Sequence, residues 1–215
     1  MNPTAAPSPD LPTAATLGRF LPRRPQGQPC EFCSEGLAPE HRHVLEIGTR
    51  NIVCACTACA LRFENVIGKW KLIPRNTRRL SDFQITSEQW EALSLPINLT
   101  FMYHSTPAGK VIALYPSPAG ATESLLPLAS WETMVAENPA LRDMTPDVEA
   151  LLANRLREAR EYYIAPIDVC FELVGLIRLH WRGLSGGDKV WQELETFFAR
   201  LKALSTEVIT GPSHA

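Results

Sequence analysis

The chain has 215 residues, of which 45% are hydrophobic, with a formal net charge of −2 and a pI near 6.2. That length suits one large domain or two small ones, and the composition allows a core of ordinary size. The small net charge excludes a global field drawing the chain to DNA or an anionic surface, and no apolar run approaches the roughly 18 residues of a membrane span.

Residues 1–29 hold seven of the 18 prolines and show no apolar periodicity beyond Leu17, Phe20 and Leu21. The segment reads as an extended or disordered tail. It has neither the basic n-region nor the apolar h-region of a secretory leader, so a cytoplasmic location without membrane insertion is expected. Thiols stay reduced in that compartment.

Residues 30–63 read as a metal module. Five of the six cysteines fall here, as Cys30-Glu31-Phe32-Cys33 and Cys54-Ala55-Cys56-Thr57-Ala58-Cys59. Two C-x-x-C pairs supply the four thiolates of a tetrahedral site. Cys30, Cys33, Cys56 and Cys59 are the expected ligands; zinc is the expected ion, with iron as the alternative because it also accepts four thiolates. His43–Ile47 and Ile52–Cys56 alternate like strands about a Gly48–Asn51 turn, and Thr57 is placed to cap a helix through Phe63. Knuckle, hairpin and helix in that order suggest a treble-clef-like or zinc-ribbon-like module. Cys54 competes with Cys56 for the ion, since both share a face of an extended strand; the plainer reading is a packed strand cysteine. His41 and His43 could replace a cysteine, build a second site, or lie at the surface.

Residues 64–129 read as a bridge and a β-rich segment. Between residues 60 and 80, six cations (Arg62, Lys69, Lys71, Arg75, Arg78, Arg79) face one anion, Glu64. With Trp70 among them, they form a candidate patch for nucleic acid or for an acidic protein surface. Thr86–Gln89 is a capping box opening a short helix with Trp90 and Leu93 inward. Leu99–His104 and Lys110–Tyr115 flank a five-residue Gly-containing loop and read as a hairpin. A loop, Pro116–Gly120, is expected after it.

Residues 130–205 read as helical, ahead of a flexible tail at 206–215. Ser130 is placed to cap Trp131–Glu137. Thr145-Pro146-Asp147 reads as the start of a second helix with the stripe Val148, Leu151, Leu152 and Leu156, its glutamates solvated. A third helix opens at Pro166 and runs to His180. After the Gly-rich break at 183–187, a fourth carries Val190, Leu194, Phe197, Phe198 and Leu201 inward. The expected fold class is therefore α+β. Pairing Cys54 or Cys170 with His104 or His180 would give a nucleophile and base, but neither cysteine stands in a catalytic motif.

The runs Cys30–Cys33, Pro39–His43 and Cys54–Leu61, with Ala113–Ser124 and Gly175–Gly183, resemble an uncharacterised bacterial family over about residues 30–203. Leu173–Phe197 is also similar to a hydrogenase-accessory module that occurs with rubredoxins. The genes of the family lie near those of [NiFe]-hydrogenases and their maturation factors. The resemblance implies an accessory protein that binds a hydrogenase subunit or maturation factor, and it carries no catalytic residues. Trp70, Arg75, Arg78, Arg79, Trp181 and Tyr115 are the candidate contacts; a nucleic-acid-binding regulator or a rubredoxin-like electron carrier is the alternative.

Overall fold

The computed structural model describes residues 27–64, 68–124, 131–183 and 185–208. Both sheets and helices are present, so the chain is α+β. The expectations for the segment before residue 27, for Ser130 and for the end beyond residue 208 lie outside the described residues.

The larger sheet has seven strands in the order β10-β4-β9-β8-β5-β6-β7. These are β4 (Arg78–Leu80), β5 (Leu99–Ser105), β6 (Lys110–Ser117), β7 (Gly120–Glu123), β8 (Glu149–Asn154), β9 (Glu161–Pro166) and β10 (Thr206–Val208). All neighbours run antiparallel except β10, which is parallel to β4. Register stacks side chains into rows across the sheet. Leu114, Phe101, Leu152 and Tyr163 form one row, and Ala113, Met102, Leu151 and Ile164 form the next. Because side chains alternate along a strand, these rows face opposite sides.

Each face is covered by helices. The first row packs under α4 (Ile167–His180) and α5 (Gly187–Leu204), whose Cys170, Leu173, Ile177, Leu194, Phe197 and Leu201 complete the main core. The second row packs against Trp90 of α2 (Ser87–Ala92), Met134 of α3 (Trp131–Glu137) and Leu141 of a 3₁₀ helix, Pro139–Asp143. The capping box is present: Gln89 N–H donates to Thr86 Oγ1, and Thr86 N–H donates to Gln89 Oε1. Gly186 has φ +87°, and a Cβ there would meet Val190 at 2.8 Å and the Trp181 ring at 3.1 Å. Glycine is thus required where the chain turns tightly from α4 into α5.

The smaller sheet has the order β2-β1-β3, formed by β1 (Arg42–Glu46), β2 (Asn51–Ala55) and β3 (Trp70–Leu72). Strand β1 joins two cores. Val44 faces a small cluster with Cys30, Val53, Ala55 and Ala60, whereas Leu45 belongs to the main core.

Three expectations are corrected. No helix starts at Thr145; the stripe Val148, Leu151 and Leu152 lies in or beside the central strand β8, every residue of which is buried. A run that is apolar on both sides of a sheet has no period to separate it from a buried helix. Glu149 is correspondingly not solvated: it is 5% exposed and accepts from Thr145 N–H at 2.7 Å and Arg78 Nη2 at 3.1 Å. Pro116 and Ser117 belong to β6 and Gly120 opens β7, so the expected loop is a tight turn. Residues 206–208 form β10 rather than a tail.

Glu149→Ala should cost about 1–3 kcal/mol, because it leaves the Thr145 N–H and the part-buried Arg78 guanidinium without their acceptor. Leu152→Ala should cost about 2–5 kcal/mol. Urea denaturation measures both; a change below about 0.5 kcal/mol for Glu149→Ala would be that of a solvated residue.

Candidate metal centre

The amino-terminal cysteines sit on a tight turn. Pro29 bridges Gly36, Cys30 N–H donates to Glu35 O at 2.7 Å, and Ser34 N–H donates to Cys30 O at 2.8 Å. Ser34 takes φ +64°, the left-handed conformation that a knuckle closing on a metal demands just after its second cysteine. The β1–β2 hairpin follows and then α1 (Thr57–Leu61). The cap of α1 is Cys56, one residue before the expected Thr57; its sulfur accepts from Cys59 N–H at 3.4 Å. A helix start therefore aims two sulfurs at the knuckle and places backbone donors beside them.

The sulfurs of Cys30, Cys33, Cys56 and Cys59 lie within 4.8 Å of one another. Cys33 Sγ and Cys56 Sγ are 3.7 Å apart. Tetrahedral zinc with Zn–S near 2.3 Å has edges of about 3.8 Å. The group could hold a metal ion, whose identity the donor set leaves between zinc and iron. None of the cysteines is in a disulfide.

Electrostatics show why the cluster calls for a cation. Burial alone would raise the Cys30 thiol, but backbone hydrogen bonds from Cys56, Phe32 and Cys33 outweigh it and bring the pKa down to about 6. Cys59 moves the other way, to about 12, because the sulfurs of Cys33 and Cys56 crowd it. Cys33 is also raised: a Glu35 backbone hydrogen bond favours its thiolate, but Cys30, burial and Cys56 prevail. The Cys30 thiolate is favoured while Cys33 and Cys59 are held protonated, a balance that a positive ion among the sulfurs would reverse.

Cys54 does not join this group. Strand β2 ends at Ala55, so Cys54 and Cys56 lose the shared face that an extended chain would give them. Cys54 instead stands across the hairpin from His43. It is 8% exposed, and burial, reinforced by Glu31 and Cys30, pushes its thiol up. Its sulfur accepts from Gln28 Nε2 at 3.0 Å, and its N–H donates to Glu31 Oε1 at 2.8 Å. His41, His43 and Cys54 form a second group whose candidate ligand atoms lie within 4.8 Å. His43 Nδ1 is 2.7 Å from Asp168 Oδ2 in α4, which fastens the small sheet to the main core. Nothing local in the sequence marks Asp168, a first-turn helix aspartate, as the partner of a residue 125 positions away.

The basic segment is largely neutralised. Lys71 pairs with Asp147 at 3.3 Å, Arg78 with Glu149 at 3.1 Å, Arg75 with Glu40 at 3.8 Å, and Lys69 with Glu46. Asp147 is 3% exposed and also accepts from Thr106 N–H at 2.7 Å and Thr106 Oγ1 at 2.6 Å. Trp70 is half-buried in a cluster with Phe32 (rings 5.5 Å apart) and Phe63 (6.2 Å). Trp181 packs against the core and donates to Gly183 O at 2.9 Å, and Tyr115 is half-buried in β6 opposite Thr122. Cys170 is fully buried in the main core, and burial raises its thiol strongly.

Residues 29–205 match a family described as of unknown function, DUF5947. The chain belongs to this family. The match begins one residue before Cys30 and ends in the link after α5, so it takes in the cysteine module and both helical faces together. No curated protein and no solved structure matches the chain. No helix among the described residues is long and apolar enough to cross a membrane.

Cys33→Ser and Cys59→Ser should each reduce bound metal to well below one equivalent, measured by elemental analysis of reduced protein. Chelation of the unmodified chain should release amide protection in residues 30–61 before that of β5 and β8, as hydrogen exchange would record, because the small cluster has little else to hold it.

Proposed function

We propose that this protein is a cytoplasmic accessory factor that works by binding another protein, and that a structural ion on Cys30, Cys33, Cys56 and Cys59 fixes the binding module. The observation that carries this reading is the convergence of four sulfurs from a knuckle and a helix start on one ion-sized volume. The order of knuckle, hairpin and ligand-bearing helix is that of a treble clef. Zinc suits the closed, all-thiolate donor set. The resemblance to a family encoded near [NiFe]-hydrogenase genes makes a hydrogenase subunit or maturation factor the partner to test first.

The surface favours protein over nucleic acid as the partner. Four of the six cations in the basic segment are paired with carboxylates, which removes most of the charge a phosphate backbone would need. Phe32 (38% exposed) presents apolar area next to Trp70, and Leu61 of α1 is 51% exposed. Aromatic anchors of this kind dominate protein–protein binding energy.

The test is purification of the full chain from its own host at moderate salt. One equivalent of zinc and a co-purifying hydrogenase subunit or maturation factor are expected. Phe32→Ala should weaken that capture about tenfold or more while leaving the metal content unchanged. Red protein containing iron would replace the structural role with electron transfer. Co-purifying nucleic acid that dissociates steeply with salt would replace the protein partner.

A further inference from the structure

We propose that His41, His43 and Cys54 form a second metal site, separate from the four-cysteine cluster, that binds a first-row divalent ion through two imidazole nitrogens and one thiolate and leaves its fourth position open. The candidate ligand atoms of the three residues lie within 4.8 Å of one another. His43 and Cys54 are register partners across β1 and β2, and His41, just before β1, brings its ring to 4.8 Å from that of His43. Cross-strand neighbours of this kind have Cβ atoms about 5 Å apart, a separation one ion can bridge.

Hydrogen bonding sets the tautomers. His41 Nδ1 faces Ala38 O at 3.0 Å, and His43 Nδ1 faces Asp168 Oδ2 at 2.7 Å. Both partners are acceptors, so each Nδ1 carries a proton, and in the neutral ring each Nε2 keeps its lone pair. His41 Nε2 is buried and has no hydrogen-bond partner. A buried lone pair left unmatched is costly, and a metal satisfies it. The two imidazoles meet edge to face with centroids 4.8 Å apart, a contact that two rings directed at one point can make. Asp168 is placed on His43 as the carboxylate partners of metal-bound histidines are, fixing the orientation of the ring. Gln28 Nε2 donates to the Cys54 sulfur at 3.0 Å, which holds the side chain in place.

Two imidazoles and one thiolate suit zinc, cobalt, nickel or copper rather than magnesium or calcium. A cleft of about 210 Å³ lined by His41, His43, Ile73, Arg75 and Asp168 opens beside the imidazoles. Through it an ion and a water or other small ligand can reach the site. Three protein donors with an open position is the pattern of a site that exchanges a ligand or passes on its ion, unlike the closed four-thiolate cluster.

The deciding experiment titrates the reduced full chain, loaded with one equivalent of zinc, with Co²⁺. Zinc holds the four-thiolate site against cobalt, so cobalt reports what remains. One further equivalent is expected, with tetrahedral absorption bands and a thiolate charge-transfer intensity about a quarter of that of cobalt in a four-thiolate site. Cys54→Ser should abolish the charge-transfer band, and His41→Gln should abolish tight binding, with the zinc retained in each. Asp168→Asn should weaken cobalt binding by about 10- to 100-fold. The proposal is overturned if the unmodified chain takes no further equivalent, or if the cobalt signal lacks a thiolate band or persists in both Cys54→Ser and His41→Gln. Zinc content before the titration reads the four-cysteine cluster alone, so failure of one site is distinguishable from failure of the other.

Discussion

Four thiol sulfurs within 4.8 Å of one another cannot all become anions unless a cation lies among them. This constraint governs the amino-terminal third of the protein. The cluster beneath the module has only Cys30, Val44, Val53, Ala55 and Ala60 fully buried, most of them small side chains. A core of that size does not hold a knuckle, a hairpin and a five-residue helix together unaided. Structural zinc in small modules contributes on the order of 10–16 kcal/mol of apparent binding free energy, which enters directly as folding energy. The helix start at Cys56 and the left-handed Ser34 are the local devices that bring the sulfurs to one point.

The module does not hang from the rest of the protein. Leu45 and Ile73 lie in the main core, and His43 is hydrogen-bonded to Asp168 at the start of α4. Lys71 and Arg78 reach carboxylates that are themselves buried against the sheet, Asp147 and Glu149. Lys71 of β3 thereby ties the small sheet to Asp147 beside β8, and Arg78 of β4 holds Glu149 within the large sheet. Lys69 and Arg75 keep exposed pairs with Glu46 and Glu40.

What was legible in the sequence followed from periodicity and from residue chemistry. The hairpin of β5 and β6, the capping box at Thr86 and the helices α4 and α5 each have a local signature, and each forms where that signature lies. The cysteine spacing gave the four-sulfur group for the same reason: ligand pairs two residues apart are a local device. Strands β8 and β9 were not legible as strands. Glu149–Asn154 is buried on both faces, so it has no alternation, and the sequence Thr-Pro-Asp before it mimics a helix start. Short strands such as β3, β4 and β10 exist only because a partner strand is present. Asp168, Asp147 and Glu149 become meaningful only through neighbours brought to them by the fold.

The parallel pairing of β10 with β4 has a bearing on how the chain is made. Val208 lies opposite Leu80, and Thr206 opposite Arg78. An emerging polypeptide therefore leaves this border of β4 bare until β10, much later in the chain, has been made. Until then β4 offers unsatisfied amides and carbonyls to any passing strand, a hazard for the nascent molecule; once β10 docks, the edge passes to that short strand and its charged Glu207.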